Sequence, residues 1–191
     1  MSKFYKELDG KLQEFIAKQK IFFVGTAAPE GRVNVSPKGL DSLRILNAKQ
    51  LISLNLTGSG NETAAHVLEQ ARMTLMFCSF EGKPRILRVY GKARAIHARD
   101  EEWAEWSALF TEYPGTRQIF LLDVDSAQTS CGFAVPNYQY QEDRGELIHW
   151  TEKIGDEGVK EYWKKKTRPA STANRPKFYN ELTPNRPSKY L

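Results

Sequence analysis

Between Ile21 and Ile96 the chain offers a succession of short runs rich in branched and aromatic residues, and this limits the fold more than any other feature. IFFVGT, VNVSP, LISLNL, TLMFCSF and ILRVYGKARAI are each about strand length, and most are bounded by Gly, Pro, Asn or Ser. None is long enough for a free-standing helix. The connections between them are mostly of hairpin length, so neighbouring strands should run antiparallel.

Around these strands the pattern changes to a helical period in a few places. Phe4, Leu8, Leu12, Phe15 and Ile16 predict an amphipathic helix over 3–20. Ile21–Thr26 and Arg32–Ser36 read as a hairpin across PEGR, with Gly31 free to take positive φ. Pro37 has no N–H for a ladder, so the second strand should end there or lie on an edge. Strands follow over 43–45 and 51–56, then a helix over 63–70 with Asn61 or Thr57 as its cap. Two more strands cover 73–80 and 85–97, the latter bent at Gly91. A helix over 100–113, a strand over 119–124 and short helical segments within 142–163 complete the domain. The expected class is α+β, mainly β, an antiparallel barrel with peripheral helices over residues 1–166. Residues 167–191 form a basic tail rich in Pro and Asn, expected to be extended or disordered. Strands and helices do not alternate regularly, and no GxGxxG follows a strand, so a doubly wound dinucleotide fold is a poor fit.

Length and charge narrow the function classes. At 191 residues the chain can bury a sizeable core in one domain. Two cysteines make no disulfide framework, and the N-terminus carries no long apolar run, so a reducing, cytoplasmic setting is expected. No segment approaches the about 18 consecutive apolar residues of a membrane span. The net charge of +5 is concentrated in the tail, and no paired aromatic and basic strand motif accompanies it. A specific nucleic-acid partner is therefore not expected.

Most familiar chemistries find no footing. His66, His97 and His149 lie far apart, and the cysteines add no metal-ligand spacing. Cys78 reads as core; Cys131, in a small-residue turn, reads as a packed side chain with no base to activate it. Neither Ser36 nor Ser59 lies in a G-x-S-x-G elbow. What stands out is a polar strand face carrying Arg32, Asn34, Ser36 and Lys38 in near alternation. The turn Thr57–Thr63 adds hydroxyls, an amide and the N–H groups of a helix start, a setting that favours anions. Arg85 and Arg88 flank the next long strand, and arginine suits fork-like contact with phosphate. Grouped on a small barrel, these elements point to a rim for a phosphorylated, flat polar ring.

In order, GRVNVSPKG, LTGSGNETAAHV, RILRVYGKARAI and SCGFAVPNYQY resemble the pyridoxamine 5′-phosphate oxidase-related family of FMN-binding split barrels. The resemblance covers roughly residues 10–150. It implies a Greek-key split barrel, a homodimer, and FMN in clefts at the dimer interface. By that similarity Val33, Asn34, Val35, Ser36 and Lys38 line the ring and ribityl chain, with Lys38 near the ring's polar edge. Leu56, Thr57, Asn61, Glu62 and Thr63 fall where the turn meets the ribityl phosphate, and Arg85 and Arg88 lie on a strand that reaches the cofactor. The true oxidase carries an Arg-Lys pair where this chain has Glu62-Thr63, and it ends in an Arg-Leu-His-Asp-Arg type stretch absent here. The implied function is therefore a flavin-dependent oxidoreductase acting on an unidentified small molecule. The alternative is a flavin- or tetrapyrrole-binding carrier or sensor without turnover, with deazaflavin or haem as other possible ligands.

Overall fold

The computed structural model describes residues 2–166, so the expected tail lies outside the described residues. Among the described residues, eight antiparallel strands and four helical elements follow one another as β1 (Lys3–Tyr5), α1 (Gly10–Ala17), β2 (Phe22–Thr26), β3 (Asn34–Lys38), β4 (Leu43–Asn47), β5 (Gln50–Leu56), α2 (Glu62–Glu69), β6 (Arg72–Cys78), β7 (Ile86–His97), α3 (Trp103–Ser107), β8 (Thr116–Ser130) and α4 (Glu146–Lys166), the last broken into two helical stretches at Gly155, whose φ of 66° is not helical. The sheet order is β3-β2-β6-β7-β8-β5-β4, with β1 added to β8. This is an α+β split barrel: β3 and β4 end the main strand path, β1 is paired on one side only, and the helices lie around it.

Directly opposed residues of antiparallel strands share a sheet face, so the register sorts the side chains. One row runs Ser36–Val24–Leu75–Val89–Ala127, and its last four members are buried in the main core. The neighbouring row, Pro37–Phe23–Met76–Arg88–Gln128, stands on the opposite face. Val67 of α2 and Leu12 and Ile16 of α1 join the main core. A second cluster of Ile52, Leu54, Ile96, Phe110, Ile119 and Leu121 fills the outside of β5, β8 and β7, where Trp103 and Trp106 of α3 pack. These tryptophans therefore serve the chain's own core.

Three elements depart from the sequence expectation. The leading helix begins only at Gly10, because Asp9 caps it through a 2.9 Å bond from the Leu12 N–H. Residues 3–5 pair with Thr129, Gln128 and Ala127, filling the side of β8 that β5 leaves at Asp123. The strand expected over 119–124 runs from Thr116 to Ser130, because β7 supplies partners along its length. The helix expected over 100–113 is confined to 103–107, and beyond it Phe110 is drawn into the second cluster. Pro37 does lie within an edge strand, and a register shift between Tyr90 and Gly91 marks the expected bulge.

Candidate functional site

The polar face of β3 meets the start of α2. Asn34, Ser36 and Lys38 alternate along the strand and share the inward side. Asn34 Nδ2 donates to Thr63 Oγ1 at 3.1 Å, tying β3 to the first turn of α2. Lys38 Nζ donates to Asn55 Oδ1 at 3.0 Å, reaching from one edge of the sheet to β5 near the other. Burial holds the Lys38 ammonium below the usual lysine range, and the Glu62 carboxylate offsets this only in part. Between them Ser36 Oγ is sealed from solvent and is the one buried side-chain polar atom among the described residues without a hydrogen-bond partner. Such an orphan is costly unless something else satisfies it.

The start of β8 pins the turn before α2. The Gly115 carbonyl accepts from the Thr57 N–H at 3.0 Å and from the Thr57 hydroxyl at 2.6 Å. Gly115 has φ 75°, and a Cβ there would meet Thr151 Cγ2 at 2.7 Å and Thr57 Oγ1 at 3.0 Å. Arg117 Nη1 donates to the Gly60 carbonyl at 3.3 Å, and Gln118 Nε2 donates to Asn61 Oδ1 at 2.5 Å. From α4, Trp163 Nε1 donates to Thr57 Oγ1 at 3.0 Å, and its ring lies 5.1 Å from the Arg117 guanidinium carbon. Burial pulls the Arg117 pKa below the usual arginine value, and Glu62 opposes the change.

Asn61 occupies the cap position, yet its side chain makes no cap bond. Its oxygen is given to Gln118 instead. The first N–H groups of α2 are thus left without a side-chain cap. Glu62, the first residue of the helix, folds its carboxylate back so closely that a Cβ on Gly60 would overlap it.

The structure divides the sequence-predicted residues into two groups. Asn34, Thr57, Asn61, Glu62 and Thr63 come together at the turn and helix start, while Ser36 and Lys38 share the inward side of β3 with Asn34 and Lys38 reaches Asn55. Val33 and Val35 are exposed, 69% and 61%, on the other side of β3. Leu56 packs towards the α3 cluster. Arg88 stands on the outer sheet face, donating to Ser130 Oγ at 3.2 Å, and Arg85 lies over the Phe15 ring at 5.4 Å. Within one chain neither arginine joins Lys38. Asn55, Gly115, Arg117, Gln118 and Trp163 were not anticipated. A weak signal existed for three: Asn55 interrupts the apolar run LISLNL, Gln118 precedes the apolar run IFLL, and Trp163 sits in the basic stretch KEYWKKK.

The remaining titratable candidates take structural roles. His66 is buried, with Nδ1 3.1 Å from Thr26 Oγ1. Cys78 is buried as expected, whereas Cys131 is exposed rather than packed; beside it Gly132 lies so close to the Arg85 backbone that a Cβ would meet Arg85 N at 2.9 Å. Among the described residues no group of three His, Cys, Asp or Glu side chains is placed to hold a metal ion, and no helix is long and apolar enough to cross a membrane.

Residues 8–131, which include every element from α1 to β8, match the family model described as pyridoxamine 5′-phosphate oxidase. The chain belongs to the pyridoxamine 5′-phosphate oxidase family. One relative is the family protein ustO of Aspergillus flavus, 38% identical over 138 residues, which are 70% of this chain and 55% of ustO. The chain thus spans about half the length of the curated relative it matches. Among solved structures, a variant form of HupZ from Group A Streptococcus superposes with a TM-score of 0.52 at 16% identity, over 64% of this chain and 99% of that one. A Lactobacillus delbrueckii protein named for the same oxidase gives 0.51 at 18% identity, over 64% and 94%. At those identities the likeness concerns the fold. For this family member the β3 face and the pinned turn lie inside the matched segment, whereas Trp163 lies beyond it.

Proposed function

We propose that the chain binds FMN against the β3 face and the start of α2, and acts as a flavin-dependent oxidoreductase on a small molecule. The observation that carries this reading is the orphaned Ser36 hydroxyl on a strand that the Asn34–Thr63 bond ties to a helix start whose N–H groups lack a side-chain cap. The residues fit such a ligand in kind: a buried cation, an orphaned hydroxyl at Ser36, and amide groups at Asn34 and Asn55 suit a polar ring edge and ribityl chain. When bound, a flavin supplies the electron-pair chemistry of its ring, and the protein tunes and places it. Lys38 would hold negative charge on the ring's polar edge, and the turn with Arg117 would hold the phosphate. No side chain here stands out as an acid or base, so proton handling falls to solvent or substrate.

The outer face supports a homodimer. Val33 and Val35 leave apolar surface on the edge strand β3, next to the row of Pro37, Phe23, Met76 and Arg88. An exposed apolar flank beside a strand edge is a liability that a second copy removes. A copy docked there would place Arg88 at the seam. The test is to titrate the purified full chain with FMN, following the visible flavin bands, and to measure its mass by light scattering. Micromolar binding with a mass near twice 21.8 kDa is expected. Absence of binding in a folded sample refutes the flavin reading, and a clean monomer refutes the dimer.

The carrier reading is favoured by one feature, the Glu62 carboxylate at the helix start, which opposes tight retention of a phosphorylated ligand. Steady NAD(P)H consumption in the presence of FMN decides for the enzyme.

A further inference from the structure

Two charged groups meet at the first turn of α2, and a third lies within electrostatic reach of it. Lys38 comes from β3, Arg117 from β8, and Glu62 is the first helical residue. Glu62 lies in the field of both cations. Its carboxylate is folded back over Gly60, the residue whose carbonyl accepts from Arg117. Asn61, placed to cap the helix, is held by Gln118 instead. The anion at this helix start is thus the chain's own, standing beside Arg117, the cation that a ligand's phosphate would need.

We propose that Glu62 determines ligand specificity: it competes with the ligand's phosphate for the helix start beside Arg117, and so lowers the preference for a phosphorylated over an unphosphorylated flavin. The inference rests on the flavin reading for the identity of the ligand. The physical reason is like-charge repulsion. A phosphate near pH 7 carries close to two negative charges, and it can enter only beside the carboxylate or after displacing it. Arg117 then has to be shared with Glu62 or taken from it. The rest of a flavin carries no such charge and is indifferent to Glu62. A substitution that keeps the shape and removes the charge should therefore act on the phosphate alone.

The experiment measures dissociation constants of FMN and of riboflavin for the wild-type chain and Glu62→Gln, by quenching of flavin fluorescence. The ratio of riboflavin to FMN constants is expected to rise about tenfold in Glu62→Gln, the scale of one removed charge a few ångströms away near a surface. An unchanged or smaller ratio overturns the proposal. Glu69→Gln makes the same change in net charge at the exposed far end of α2. It should leave the ratio unchanged; an equal rise there would show a mere net-charge effect and overturn the assignment. Glu62→Ala serves if the Gln variant does not fold, with the same two outcomes. If neither flavin binds either protein, the flavin reading fails, and inorganic phosphate decides the role of Glu62. Phosphate, compared with chloride at equal ionic strength, should then raise the melting temperature of Glu62→Gln more than that of the wild type. An equal or smaller rise overturns the inference.

Discussion

Lys38 and Asn55 offer the sharpest test of how the site is built. Their 3.0 Å hydrogen bond joins edge strand β3 to β5, across the open side of the barrel, and Asn55 is only 8% exposed. Replacing Lys38 by Met leaves the Asn55 oxygen without this donor, a loss of about 1–3 kcal/mol. Replacing Asn55 by Leu leaves a half-buried ammonium without its acceptor, a loss of about 1.5–3 kcal/mol because the donor is charged. The double variant removes both partners, and it should be more stable than the sum of the single losses implies by about 1.5–3 kcal/mol. For a chain of this size each kcal/mol corresponds to about 2–4 °C in Tm, so urea and thermal unfolding both resolve the cycle. Single losses that add to the double within about 0.5 kcal/mol would refute the coupling. A pH series adds an independent check. Burial places the folded pKa of Lys38 below its ordinary 10.5, so between those two values the folded chain binds fewer protons than the unfolded one. Wild-type stability relative to Lys38→Met is therefore flat below the lowered pKa and rises with pH from there to 10.5. A difference that falls over that window would contradict the burial of the charge. FMN affinity measured on the same variants separates roles: if Lys38→Met binds FMN as the wild type does, Lys38 closes the barrel and has no part in the ligand site.

Two further substitutions probe the frame. Gly91→Ala should lower stability by about 3 kcal/mol or more in denaturant unfolding, because the added Cβ overlaps the Asp123 carbonyl at the β7–β8 bulge and meets Leu122 Cδ1 at 2.9 Å; a loss under about 1 kcal/mol would show that the bulge relaxes easily. Trp163→Phe removes the 3.0 Å bond to Thr57 while keeping a ring beside Arg117, and should cost about 1 kcal/mol and weaken FMN binding; Trp163→Leu removes the ring as well and should cost about 0.5–2 kcal/mol more. Equal FMN affinity in all three proteins would remove α4 from the site.

The strands were legible because each carries its own signal. Branched and aromatic runs stop at Gly, Pro and Asn, and Pro37 announced an edge. Helix α1 was overextended because Phe4 fits a helical stripe as well as a strand, and only pairing with Gln128 settles it. The polar half of β8 was missed because Asp125–Ser130 has little strand propensity by itself. At the site, alternation placed Asn34, Ser36 and Lys38 on one side of β3. It gave no means of seeing that Arg88, with an equally suitable side chain, faces the other way.

What local sequence settled here is which segments extend, where they turn, and which side of β3 is polar, since all three depend on residues within a few positions of one another. Tertiary structure alone decided which charges meet. Arg117 reaches Gly60 across 57 positions and Trp163 reaches Thr57 across 106, contacts set by the register of β8 and the path of α4. A charge acts over a few ångströms of space, and separation along the chain says nothing of that distance until the sheet is assembled.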